Sequence, residues 1–187
     1  MSSGSSPSRN DMATGHIDPR YGDAGATAPD WADVERRLAD AQLYWLVTVR
    51  ADSRPHAVPL CGAWHDGAFA FCTGAEEQKM RNLEANPRVA VTAGPLGAGG
   101  WARGKDIGVE GTAERVTDET TLRTLAQVWA DKYDGDWRWE VRDGQFFELT
   151  DSGGSTEGGG QVFRVPPSKV MVFGDDHGQT TYRFEGP

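Results

Sequence analysis

The sequence predicts a small, mainly antiparallel β-barrel with two or three short helices. Two observations lead there. Six or seven runs rich in β-branched and aromatic residues follow one another through turn signals. Helices interrupt them too rarely for the strand–helix alternation of a parallel sheet. The chain's 187 residues suit one domain with a real core and are too few for two ordinary ones. Its isolated glycines are therefore not a dinucleotide fingerprint, which needs a strand–helix–strand setting.

The elements follow in order. Residues 1–29 are rich in Ser, Gly, Pro and Asp and read as a disordered leader without a signal-peptide pattern. The barrel domain is expected over 30–187. Asp30 is a good N-cap, and Trp31, Val34 and Leu38 follow at helical spacing, predicting a helix over 31–41. LYWLVTVR (43–50) reads as a strand, ADSRP as a turn, and HAVPLCGAWH (56–65) as a second strand. Asp66-Gly67 is a strong hairpin signal leading into AFAFCT (68–73). Counting back from that turn sets Cys61 opposite Cys72, where a reducing cytosol favours two thiols over a disulfide.

A helix over 76–85 buries Met80 and Leu83, and RVAVTAG (88–94) is the next strand. PLGAGGWARGK (95–105) is a Gly-rich loop without phosphate-loop spacing. In DIGVEGTAERV (106–116), Gly108 and Gly111 mark a bend or bulge. Thr117-Asp118 caps a helix over 118–132 whose apolar stripe is Leu122, Leu125, Ala126 and Trp129. KYDGDWRWEVRDGQFFEL is aromatic and acidic, and TDSGGSTEGGGQ (150–161) reads as a mobile low-complexity loop. The last strands are VFRVPPSKVMVFG (162–174), interrupted at Pro166-Pro167, and TTYRF (180–184).

A net charge of −9 argues against nucleic acid as the main partner, while leaving room for a local basic pocket. No apolar run is long enough to span a membrane, and a cytoplasmic location is expected. Classical side-chain catalysis has little to work with. HExxH, CxxC and a nucleophile elbow are absent, and His56, His65 and His177 lack metal-ligand spacing. An enzyme built this way takes its reactive group from a bound cofactor.

One stretch suits an anion: FCTGAEEQKMRNLEANPRVAV (71–91). It is a strand, a turn and a helix entrance, with Lys79 in the first turn, Thr73 at the strand end and Asn82 three residues after Lys79. The same residues also describe a solvated surface helix with an ordinary Lys and Arg, a reading that Glu76 and Glu77 favour.

Taken in order, R-P-H-x-V-P, K-x-x-N-L-x-x-N-P-R-V and V-E-G-T-A resemble the pyridoxamine 5′-phosphate oxidase-like split barrels that bind flavins and deazaflavins. The deazaflavin-dependent (coenzyme F-420) reductase branch is the nearer likeness, and it runs from about residue 31 to 187. The resemblance implies a six-stranded antiparallel split barrel and a homodimer with the cofactor at its interface. It implies that His56, Val58, Pro59 and Leu60 lie against the cofactor ring and phosphate end. Cys72, Thr73, Gln78, Lys79 and Asn82 then hold the phosphate. Many members carry Arg where this chain has Gln78, which removes one charge-assisted hydrogen bond worth ~1.5–3 kcal/mol. Arg81 faces another side of the helix.

The implied activity is hydride transfer between reduced coenzyme F-420 and a small unsaturated or quinone-like substrate. The alternatives are an FMN-dependent oxidoreductase of the same fold and a non-catalytic flavin or haem carrier. His56, His65 and His177 are the carrier's candidate axial ligands. The ending TTYRFEGP lacks the Arg- and His-bearing pattern of the true oxidases. Trp45, Trp64, Trp101, Tyr133, Trp137 and Trp139 are candidates for a pocket lining, and equally for core or interface packing.

Overall fold

A computed structural model of the chain describes residues 13–22, 25–94, 106–150, 154–174 and 178–184. Its elements are β1 (His16–Ile17), α1 (Trp31–Asp40), β2 (Tyr44–Val49), β3 (Pro55–Leu60), β4 (Ala63–His65), β5 (Ala68–Gly74), α2 (Gln78–Ala85) and β6 (Arg88–Ala93). They continue with β7 (Asp106–Thr112), β8 (Glu114–Val116), α3 (Glu119–Lys132), β9 (Trp139–Arg142), β10 (Gln145–Glu148), β11 (Gly160–Val165), β12 (Pro167–Phe173) and β13 (Gln179–Arg183).

Every strand pairing among the described residues is antiparallel. One sheet has the order β1-β13-β12-β7-β6-β2-β3, and the other β4-β5-β11-β10-β9, with β8 beside β11. Together they curl into the split barrel, mainly β with three helices, that the sequence led us to expect.

Three runs read as single strands each divide and change sheet, the third at the Pro166-Pro167 interruption expected from sequence. The run 56–65 breaks at Cys61-Gly62 into β3 and β4. A Cβ on Gly62 would lie 2.5 Å from the Phe69 ring and 2.8 Å from the Ala70 carbonyl oxygen, so only glycine passes there. The run 106–116 divides at Ala113, and 162–174 divides at Pro166. The two breaks face each other: a Cβ on Gly111 would meet the Pro166 carbonyl oxygen at 2.4 Å, and the β7–β12 register shifts beside it. The bend read from Gly111 is therefore present, whereas Gly108 lies in regular ladder opposite Met171.

Asp66-Gly67 forms the expected hairpin, both residues at positive φ (49° and 67°), with His65 opposite Ala68. Asp143-Gly144 repeats that geometry (51° and 67°) between β9 and β10, inside the segment given no element from sequence. Gly160 and Gln161, expected in a loop, already belong to β11, and Ser155 bridges Leu149. The stretches 95–105, 151–153 and 175–177 lie outside the described residues, and Trp101 and His177 with them.

Part of the segment read as a leader is also described. His16–Ile17 adds an edge strand to β13, and the Tyr182 hydroxyl donates to the Pro29 carbonyl. An extended pair with one β-branched residue needs only a free sheet edge to do this. Residues 1–12 lie outside the described set.

Two apolar cores result. The larger lies between the sheets and under α1, joining Trp31, Val34 and Leu38 to Tyr44, Phe69, Phe71, Val109 and Tyr182. The smaller joins Leu122, Leu125 and Trp129 of α3 to Ala63, Phe146 and Val162. The predicted helix caps hold in part. Asp118 Oδ2 accepts from Thr121 N at 2.8 Å, while Asp30 caps α1 through its carbonyl alone.

Candidate functional site

Residues of β2, β3, β5 and α2 meet at the entrance of α2. Met80 and Leu83 turn that helix toward the larger core, and Asn82 is carried inward with them to 1% exposure. A buried amide needs partners at both ends. Asn82 Nδ2 donates to Thr48 Oγ1 at 2.8 Å, and its Oδ1 accepts from Gln78 Nε2 at 2.8 Å. Gln78 Oε1 in turn accepts from Arg50 Nη1 at 3.3 Å. Thr48 Oγ1 donates to the His56 carbonyl at 3.4 Å and lies 3.5 Å from its Nδ1. A polar string therefore runs Arg50–Gln78–Asn82–Thr48–His56 and ties α2 to β2 and β3.

Lys79 stands outside this string. Its side chain is only 13% exposed, and its ammonium pairs with Glu77 Oε2. Burial lowers its pKa, and the nearby Cys72 thiol acts in the opposite sense. The other oxygen of Glu77, Oε1, accepts the Gly74 N–H at 2.8 Å. One carboxylate thus bridges the last amide of β5 and the helix's buried cation. Burial also lowers the His56 pKa, and the fields of Arg50 and Lys79 add to the effect. Both cations therefore act at the same imidazole. Arg81, the other basic side chain of this helix, turns outward to Glu76 at 3.5 Å.

The remaining predicted residues divide between faces. Val58 and Leu60 are half-buried opposite Leu46 and Tyr44, on the face of β3 that carries His56. Pro59 is exposed on the opposite face, beside Trp45. Thr73 and Cys72, being consecutive in a strand, point to opposite sides of β5. Thr73 is 1% exposed, and its hydroxyl donates to the Gly74 carbonyl at 3.4 Å. Cys72 joins the edge of the smaller core, where burial pushes its thiol up to about 11. Both cysteines are free thiols, as expected. The structure thus gathers His56, Gln78, Lys79 and Asn82, and separates the Thr73 side chain from that of Cys72.

These positions can be compared with known proteins. The sequence profile described as pyridoxamine 5′-phosphate oxidase matches residues 31–171, most of the chain. The chain belongs to the pyridoxamine 5′-phosphate oxidase family. A pyridoxine/pyridoxamine 5′-phosphate oxidase of Pseudomonas paraeruginosa is 34% identical over 90 residues, which span 47% of this chain and 39% of that enzyme. A haem-binding protein of Mycobacterium smegmatis shares the fold, with TM-score 0.60, 18% identity and coverage of 84% of this chain and 60% of that one. So does an F420 reductase, with TM-score 0.52, 23% identity and coverage of 79% and 97%.

Proteins of this family bind FMN or related flavins, so the residues missed by sequence reading gain interest. Arg50 reaches Gln78 across 28 positions, a contact no local spacing announces. It brings a guanidinium to Gln78, the position at which the family resemblance led us to expect an Arg. Gln161 lies opposite Thr73 in the β5–β11 ladder, and its Oε1 is buried without a hydrogen-bond partner. Among the described residues, no group of three or more His, Cys, Asp or Glu side chains is placed to hold a metal ion. None of the described helices is long and apolar enough to cross a membrane.

The aromatic candidates also separate. Trp64 is core, in edge contact with Trp31 at 6.3 Å. Trp137 and Trp139 stack at 5.7 Å beside the smaller core. The Tyr133 hydroxyl takes the Gly62 N–H at 3.0 Å. Trp45 alone among those described is half exposed.

Proposed function

We propose that this family member is a cytosolic homodimeric oxidoreductase using coenzyme F-420, with a small unsaturated or quinone-like molecule as its other substrate. The observation that carries this reading is Lys79, a largely covered side chain at a helix entrance that shares the Glu77 carboxylate with the Gly74 N–H, with Arg50 tied to the same helix through Gln78. The donor set fits a phosphoryl group. Gln161 Oε1, an acceptor without a donor, fits a hydroxyl or ring N–H of the same ligand. The bound deazaflavin supplies the hydride chemistry, and the chain supplies position and dryness. Lys79 and Arg50 hold the phosphoryl end, with Gln78 and Asn82 keeping Arg50 and the helix in place. The half-buried face of His56, Val58 and Leu60 gives the bound ring an apolar wall, while Trp45 and Pro59 lie on the opposite face of β2 and β3.

FMN is the second reading, favoured by the family's use of flavins. Paired fluorescence titrations with coenzyme F-420 and FMN test both, on the wild type and on Lys79→Ala. Tight F-420 binding that weakens ~10–100-fold in the variant is expected for the loss of a charge-assisted bond. Equal affinity in the variant and the wild type overturns the phosphate seat. A preference for FMN moves the function to the second reading. Oxidation of the reduced deazaflavin by a panel of quinones and activated alkenes then tests turnover.

A further inference from the structure

Glu77 occupies an unusual place for an acidic residue. Its carboxylate accepts the Gly74 N–H and pairs with the Lys79 ammonium, two members of the donor set that the proposed function offers a phosphoryl group beside Arg50. A bound phosphoryl group must therefore displace it. Displacement need not carry it far. Glu77 is the N-cap of α2, so its backbone is fixed two residues before Lys79. Its side chain is 49% exposed, which lets it swing outward but leaves a negative charge at the rim. Glu76 adds little there, being turned to solvent with Arg81.

We infer that Glu77 is a charge filter, setting the seat for a singly charged phosphodiester and against a doubly charged phosphomonoester. The inference rests on the phosphate seat proposed above. Lys79 and Arg50 supply two positive charges, and Glu77 returns one negative charge. The remaining single positive charge balances a diester. A monoester carries about −1.5 to −2 at neutral pH and meets roughly twice the repulsion from the displaced carboxylate.

The test is Glu77→Gln, which keeps an oxygen for the Gly74 N–H and removes only the charge. FMN provides the monoester, coenzyme F-420 the diester, and riboflavin a ring without phosphate. We expect FMN affinity to rise about tenfold, and F-420 affinity by no more than about threefold. Riboflavin affinity stays unchanged. Glu77→Ala, which also loses the Gly74 acceptor, moves the FMN-to-F-420 ratio in the same direction. A ratio that stays within twofold of wild type in both variants overturns the filter, even if Lys79→Ala still abolishes binding. If Lys79→Ala leaves both affinities intact, the seat itself is misassigned and the filter falls with it.

Discussion

His56 reports on the site without any assay of activity. Its pKa is lowered by burial, then by Arg50 and Lys79. An anion bound near those cations cancels their fields, so ligand binding must raise it. Titration of the His56 ring protons by NMR is expected to give a midpoint below the usual 6.5, moving up when FMN or F-420 is added. A midpoint indifferent to both ligands argues that the phosphoryl group binds elsewhere. Lys132 offers a second pH signature. Its ammonium donates to Tyr44 Oη at 2.7 Å and to the Gly62 carbonyl at 2.9 Å. Burial lowers its pKa from 10.5 to about 8. Between those values the unfolded chain binds more protons than the folded one, so stability rises with pH across that window. Burial raises the pKa of Tyr44 and Tyr133, which reverses the trend once unfolded tyrosines ionise near pH 10. The stability of wild type relative to Lys132→Met is therefore expected to increase from pH 8 to 10, as read by urea unfolding. A flat difference shows that the amine is hydrated.

Helix α2 is held as much by polar ties as by its short apolar stripe of Met80 and Leu83. Asn82→Ala leaves Thr48 and Gln78 each short of a partner and should cost ~1–3 kcal/mol. Thermal melting is expected to fall by several degrees, and cofactor affinity to fall as well because Arg50 loses its anchored Gln78. Unchanged melting indicates that water substitutes for the amide. Local signals made much of this framework legible. The α1 and α3 stripes, the Asp66-Gly67 turn and the Pro166-Pro167 break were all written in adjacent residues. Asp143-Gly144 was equally legible and simply lay inside a segment whose aromatic and acidic content hid two strands. The break at Gly62 was passed over, although a glycine inside a strand run is a bend signal of the kind read at Gly111. Its cause is the Phe69 ring packed against Gly62 from the next strand. Lys79 and Asn82 were proposed from pattern and resemblance, and His56 from the resemblance alone. Arg50, Glu77's bridging role and Gln161 needed the fold, since each acts through a contact that spacing does not encode.

The outer face of the seven-stranded sheet connects these details to assembly. Strand register places Pro59, Trp45, Thr92, Gly108 and Met171 in one row across five strands. The adjacent row is Ala57, Val47, Ala90, Glu110 and Lys169, with the last two ion-paired at 3.1 Å. Small and apolar residues dominate these rows, and Trp45 stands on them 50% exposed. An exposed aromatic at the middle of an apolar face is the kind of anchor that carries interface energy. β3 bounds this face as an edge strand, and Pro55 and Pro59 keep it from extending the sheet into another chain by strand addition. In the proposed homodimer, face-to-face contact is then the natural mode of pairing, with β3, an edge strand among the described residues, at the border of that contact. Trp45→Asp should therefore yield a monomer in light scattering while leaving the far-UV circular dichroism unchanged. If the proposed homodimer completes the cofactor site, F-420 affinity falls by about tenfold or more with it. A variant that remains dimeric moves the interface off this face. A monomer that binds the cofactor as tightly as wild type would show that one chain completes the site alone.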